Sequence, residues 1–279
     1  MELKARTIVE GFLSGLHHSP YRGFSVEFAE YRQYIPGDDL ATIDWKVYAR
    51  SDRYYVKKYE EETNLECYVL LDVSASMGYQ SLGVTKVQYG SYLAAALAYL
   101  MNRQRDAVGL VTFDDRVIEM RPASARPGHL RSLLVVLNEV KLGERTNVSK
   151  PLHHLAEALV KRGLIVLISD LLDDPQTVID GLKHFRFKGT DVIVFHVLDH
   201  DELTFPFERP ARFHDLESDE EVLAVPSVVR EHYLSEIRQM IELYTRELKS
   251  ANIDYCLLDT SQPLEFGLLS YLSSRGRTY

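Results

Sequence analysis

Cys67-Tyr68-Val69-Leu70-Leu71-Asp72-Val73-Ser74-Ala75-Ser76-Met77 is the stretch on which the reading of this chain turns. An apolar run without alternation ends on a carboxylate. Such a run fits a strand of a parallel sheet covered on both faces. Similar runs recur at Val108–Phe113, Leu164–Ile168, Val192–Leu198 and Tyr255–Leu258. Helical segments lie between them. Lys86–Arg103 carries the small-residue string AAALAYLM, which suits close packing on a sheet. Pro127–Val140 and Pro151–Lys161 each begin with Pro, whose missing N–H costs little in a first turn. Asp173-Asp174-Pro175 starts a helix over Gln176–Lys188. Val117–Met120 reads as a short antiparallel strand, hairpinned through Asp114-Asp115. The alternation implies an α/β fold, a doubly wound, mostly parallel sheet of Rossmann type.

Asp72, Ser74 and Ser76 follow the first strand at alternate positions, a spacing that turns all three toward one point in a loop. The pattern alone is weak, because Asp and Ser at a strand-to-helix turn also satisfy local backbone donors. Two further features bear on it. Arg145-Thr146-Asn147 brings a loop hydroxyl before the Pro151 helix, and Ser169-Asp170 ends the strand Leu164–Ile168. In a doubly wound sheet the strand C-termini share one edge, and ligands sit where the strand order reverses. Asp72 and Asp170 then meet at that edge with three hydroxyls. An all-oxygen set of this kind selects Mg²⁺ or Mn²⁺ over Zn²⁺.

The five residues Asp72, Ser74, Ser76, Thr146 and Asp170 resemble the metal-ion-dependent adhesion site (MIDAS) of von Willebrand factor A domains, over roughly residues 65–260. The resemblance implies that Asp72, Ser74, Ser76 and Thr146 hold the cation directly or through water. Asp170 ligates directly or through water depending on state. One coordination position stays open for an acidic residue of a protein partner. The flanks narrow the likeness. Glu27-Phe28, Arg32, Tyr34, Pro36-Gly37-Asp38-Asp39, Ile43-Asp44-Trp45 and Tyr48-Ala49-Arg50 resemble the signature of bacterial domain-of-unknown-function family fifty-eight, as does Leu257–Leu264. Many members carry transmembrane helices before this region, and members are often linked with MoxR-type AAA+ ATPases. The resemblance thus implies a partner role in ATPase-driven chaperone-like or complex-assembly work, without catalysis by this chain itself.

Residues 1–64 differ from the rest. A short helix is expected in the first ~15 residues. An aromatic, turn-rich and β-rich extension follows, packed on the main domain by its aromatics. Residues 65–279 form that domain, with a small acidic insertion at about 201–226 containing Phe205, Phe207 and Phe213. A long helix then presents Val229, Tyr233, Ile237, Met240, Ile241, Tyr244 and Leu248 as core contacts. Pro263–Ser274 closes the chain as a helix.

The 279 residues carry 32 basic and 41 acidic side chains, a net charge of −9. That balance argues against nucleic acid or an anionic membrane as partner. The basic, aromatic stretch Arg50–Lys58 is read as packing surface, since Glu60-Glu61-Glu62 follows it. No apolar stretch reaches the ~20 residues of a membrane span, and no signal peptide is visible. Cys67 and Cys256 read as buried thiols in a reducing cytoplasm. The paired histidines 17–18 and 153–154 do not face one another on a helix. His196, Asp199, His200 and Asp201 cluster at a strand end without a zinc pattern. No G-x-S-x-G elbow or phosphate-binding Gly-rich loop occurs. The alternative is a Mg²⁺-dependent phosphoesterase, since an Asp after strand one suits metal-assisted phosphoryl transfer. Ser74 stands where a D-x-D nucleophile motif needs a second Asp, which favours binding.

Overall fold

Cys67–Leu71 forms the heart of a central strand in the computed structural model, which describes residues 1, 6, 31–33, 55–57, 66–143, 148–159, 163–217 and 220–268. The chain divides into two compact units, Arg22–Asn64 and Met1–Tyr21 with Leu65–Tyr279. In the smaller unit, β1 (Tyr31–Gln33) pairs antiparallel with β2 (Tyr55–Lys57), Arg32 opposite Val56. Of the expected N-terminal helix the described residues include Arg6, which is helical, and most of the turn-rich extension lies outside the described residues.

The larger unit runs β3 (Glu66–Asp72), α1 (Lys86–Arg103), β4 (Ala107–Phe113), β5 (Val117–Ser124), α2 (His129–Asn138), α3 (Ser149–Ala158), β6 (Gly163–Ser169), α4 (Pro175–Phe187), β7 (Asp191–Leu198), α5 (His200–Thr204), β8 (Ala211–His214), β9 (Glu221–Ala224), α6 (Pro226–Ser250) and β10 (Asp254–Asp259). Six strands make one sheet in the order β10-β7-β6-β3-β4-β5. All neighbours are parallel except β4 and β5. The chain leaves β3 toward one edge, then returns to build β6, β7 and β10 on the other side. The strand order therefore reverses between β3 and β6.

Both faces of β3, β4, β6 and β7 are covered, which is why these strands are nearly continuously apolar. Cys67, Val69 and Leu71 pack with Leu93 and Ala94 of α1, Leu133 and Leu137 of α2, and Leu264 and Leu268. Tyr68 and Leu70 point the other way, toward Leu152 of α3, Leu182 of α4 and Tyr244 of α6. Each fully buried Leu or Phe side chain contributes about 1.5–3 kcal/mol.

The helix boundaries follow local chemistry. Thr85 and Gln88 form a reciprocal capping box at the start of α1. Asp174 accepts from the Thr177 N–H, with Pro175 in the first turn of α4. α2 begins at His129 rather than Pro127, because Gly128 takes a left-handed φ of 84° as its cap. β5 runs to Ser124, beyond the expected Met120, and through Pro122. An edge strand tolerates that missing donor. The insertion is a short helix, α5, and the hairpin β8–β9. Phe205, Phe207, Phe213 and Tyr233 gather beneath it, with Phe205 and Tyr233 ring centres 4.7 Å apart. The expectation of a core stripe along α6 is corrected in part. Tyr244 and Leu248 are fully buried, whereas Val229, Tyr233, Ile237, Met240 and Ile241 are half-buried. Only the last turns of α6 lie over the sheet core. Residues 264–268 are helical, as expected for the closing segment.

Candidate functional site

Asp72 is the last residue of β3, and Asp170 follows the last residue of β6. They therefore meet at the C-terminal edge where the strand order reverses. Asp72, Ser74 and Asp170 are fully buried, and Ser76 is nearly so. Thr146 lies outside the described residues, as do Arg145 and Asn147.

The turn after β3 uses its polar atoms in two ways. Asp72 Oδ1 accepts the Ser74 N–H at 2.9 Å, an Asx-type turn that satisfies a backbone donor. The serines behave differently. Ser74 caps a single 3₁₀ turn at Ala75–Gly78, yet its side chain makes no capping bond. Its Oγ lies 3.1 Å from Ser76 Oγ. Two hydroxyl oxygens thus converge on one point, beside a carboxylate.

The neighbours of the set are ones that the sequence did not assign to it. Ser169 Oγ donates to Asp72 Oδ2 at 2.6 Å and accepts the Leu171 N–H at 3.0 Å. Lys86 is fully buried at the start of α1, and its Nζ donates to Asp170 Oδ2 at 2.8 Å and Glu202 Oε1 at 2.6 Å. His196 Nε2 donates to the Asp170 carbonyl at 2.8 Å, while Nδ1 accepts from the Tyr255 hydroxyl at 2.7 Å. A backbone carbonyl can only accept, which assigns the proton to Nε2. The Tyr244 hydroxyl donates to the Leu171 carbonyl at 3.2 Å. Leu171 itself has a φ of 52°, a conformation costly for a branched residue. These bonds hold the segment 169–171 in that strained shape. Ser169 adjoins a candidate ligand and had a sequence signal. Lys86, Glu202 and Tyr244 had none, since Lys86 and Tyr244 sit in segments read as helical and Glu202 falls in the acidic insertion.

The electrostatics follow from burial. Asp72 is pushed up to about 7 by desolvation and then by the charge of Asp170, against the pull of the Ser169 and Ser74 bonds. Burial opposes charge on Lys86, but Asp170 and Glu202 outweigh it and hold the ammonium above the ordinary lysine range. Burial lowers His196 to about 4, so its imidazole is neutral at pH 7.

The other strand-end residues have separate occupations. Asp199 accepts from Ser81, Asp201 and Thr260, tying the loop after the serines to the ends of β7 and β10. His200 Nδ1 lies 2.9 Å from Asp259 Oδ2. Ser261 Oγ is 3.5 Å from that same nitrogen, so the three do not form a relay from Asp through both ring nitrogens to a hydroxyl. Among the described residues no three His, Cys, Asp or Glu side chains are grouped to hold a metal. A cation at this edge would depend on hydroxyl ligands. The serines fit one: Mg²⁺–oxygen distances of about 2.0–2.1 Å in an octahedron put adjacent ligands about 3 Å apart. The observed Oγ–Oγ separation matches that spacing.

A mostly parallel sheet of this order, with an Asp-x-Ser-x-Ser turn at its reversal, is a doubly wound α/β domain with the fold expected of the von Willebrand factor A-like class. An aerotolerance-related membrane protein from Bacteroides fragilis shares the fold, with a TM-score of 0.50, 19% identity, and 75% of this chain and 99% of that one covered. The SpRpn10 VWA domain aligns over 75% of this chain and 94% of its own, at 12% identity and a TM-score of 0.41. The chain belongs to the family described as "Protein of unknown function DUF58", whose model matches residues 30–242. Uncharacterized protein Rv1480 of Mycobacterium tuberculosis is 26% identical over 223 residues, covering 78% of this chain and 69% of that protein.

Proposed function

We propose that this chain is a metal-dependent protein-interaction module of the cytoplasm. Asp72, Ser74, Ser76, Thr146 and Asp170 would hold Mg²⁺, or Mn²⁺ in its place. The observation that carries the reading is the pair of serine hydroxyls 3.1 Å apart, withheld from capping and set beside the buried Asp72. When bound, the ion supplies an electron-poor centre with one open position, suited to an acidic residue of a partner. The chain's own residues preorganise that capture. Ser169 and the Ser74 N–H orient the Asp72 carboxylate, and the hydroxyls face the same point. The family resemblance suggests a MoxR-type AAA+ ATPase as partner, in chaperone-like or complex-assembly work. Among the described residues no helix is long and apolar enough to cross a membrane.

The test is capture of a purified MoxR-type ATPase by the immobilised chain, wild type against Asp72→Ala, with MgCl₂ or EDTA. Capture should be lost with EDTA and with the variant. Capture that survives both overturns metal mediation. Phosphatase activity that disappears in Asp72→Ala would instead establish the phosphoesterase reading.

A further inference from the structure

Lys86 does not belong to the adhesion-type ligand pattern, yet it has no exposed surface and reaches into its edge. A cation in the first turn of a helix opposes the helix dipole, and burying an ammonium is costly. Two carboxylates offset those penalties here, Asp170 at 2.8 Å and Glu202 at 2.6 Å. Asp170 thereby commits Oδ2 to the ammonium, while its Oδ1 accepts the Leu172 N–H at a long 3.4 Å. Glu202 is itself anchored, since its other oxygen accepts the Asp199 N–H at 2.7 Å. Two carboxylates, Asp170 and Glu202, thus share one ammonium, so the edge keeps an excess of acidic groups beside Asp72.

We infer that Lys86 is a tethered counter-cation that competes with the divalent ion for Asp170 and so sets the affinity of the site. This rests on the metal-binding reading above. Lys86 is a positioning residue: it touches a ligand rather than the ion's own position. Its ammonium holds the Asp170 carboxylate toward α1, and Glu202 shares the ammonium and limits that hold. Removing the ammonium releases Asp170 Oδ2 and takes a positive charge away from the edge. Removing the charge of Glu202 leaves Lys86 with Asp170 alone.

Mg²⁺ titration by calorimetry, with thermal melts in EDTA and in saturating MgCl₂, tests this on the full chain. Lys86→Met should melt lower than wild type in EDTA, bind Mg²⁺ roughly tenfold or more tightly, and gain more than wild type on Mg²⁺ addition. Glu202→Gln should shift binding in the opposite direction, by a few-fold. A merely structural lysine would lower the melt without changing the Mg²⁺-induced gain, and that result overturns the assignment. If Lys86→Met does not fold, Glu202→Gln decides: unchanged or tighter binding overturns it. Absence of any Mg²⁺ response in wild type overturns the metal reading and this inference with it. A wild-type response abolished by Asp72→Ala, with Lys86→Met unchanged, overturns this inference alone.

Discussion

Ser169 Oγ donates to Asp72 Oδ2 at 2.6 Å, joining the ends of β6 and β3 across the point where the strand order reverses. The bond stabilises the charged form of a carboxyl that burial holds near 7. Ser169→Ala should therefore raise the Asp72 carboxyl further. Mg²⁺ affinity should fall with pH through about 7 in the wild type, since a protonated carboxyl is a poor ligand. In the variant that fall should begin at higher pH. Calorimetric titrations at pH 6, 7 and 8 read both, and a pH-independent wild-type affinity would refute the account.

Ser74→Ala and Ser76→Ala each delete one hydroxyl from a pair that makes no capping bond. The two hydroxyls are buried and bond each other, so the melting temperature in EDTA should fall modestly, for a loss of about 1–3 kcal/mol. Mg²⁺ affinity should fall by roughly tenfold or more for either, as expected for a lost ligand or ligand-orienting group. Unchanged titration curves in both variants would count against the site.

His196 gives the fold a pH dependence of definite sign. Its neighbours are the Tyr255 hydroxyl, the Asp170 carbonyl and carboxylate, the Lys86 ammonium and the edge of Tyr244. The folded value is about 4, below the 6.5 of an ordinary imidazole, so between them the unfolded chain binds more protons. Stability should be fully present above about 6.5 and be lost as pH falls toward 4. The loss is on the order of 3 kcal/mol. Urea unfolding across that range checks it. In His196→Gln the slope should shrink, and an equal slope would show that other groups carry it.

Gly109 marks a close approach within the sheet. A methyl there would lie 2.5 Å from Tyr68 Cε1 and 2.9 Å from the Ala123 nitrogen. The Tyr68 hydroxyl accepts that nitrogen's proton at 3.2 Å. Gly109→Ala should displace the ring and cost about 1–3 kcal/mol. A thermal melt unchanged from wild type would disprove the tight fit.

Much of the fold was legible because burial on both faces leaves continuous apolar runs, which depend only on the chain. The same holds for α1 and α4, whose caps lie within a few residues of their starts. The pattern Asp72-x-Ser74-x-Ser76 was legible for a similar reason: alternate residues in one short turn converge locally. The aromatic stripe on α6 was overread. Helical spacing says which residues share a face, but not how far a helix runs past the sheet.

Lys86, Glu202 and Tyr244 were illegible for the opposite reason. Lys86 and Asp170 are 84 residues apart, and Lys86 and Glu202 are 116 apart. A lysine in a helical segment carries no mark of burial until the sheet brings its carboxylates to it. The chain alone therefore determined the strands of the central sheet, most helix starts and the local half of the candidate site. The tertiary structure decided which strand ends meet, which charges face one another, and that a buried ammonium shares the site's second carboxylate. Local geometry is written in short-range sequence, whereas electrostatic pairing depends on distances that only the folded sheet establishes.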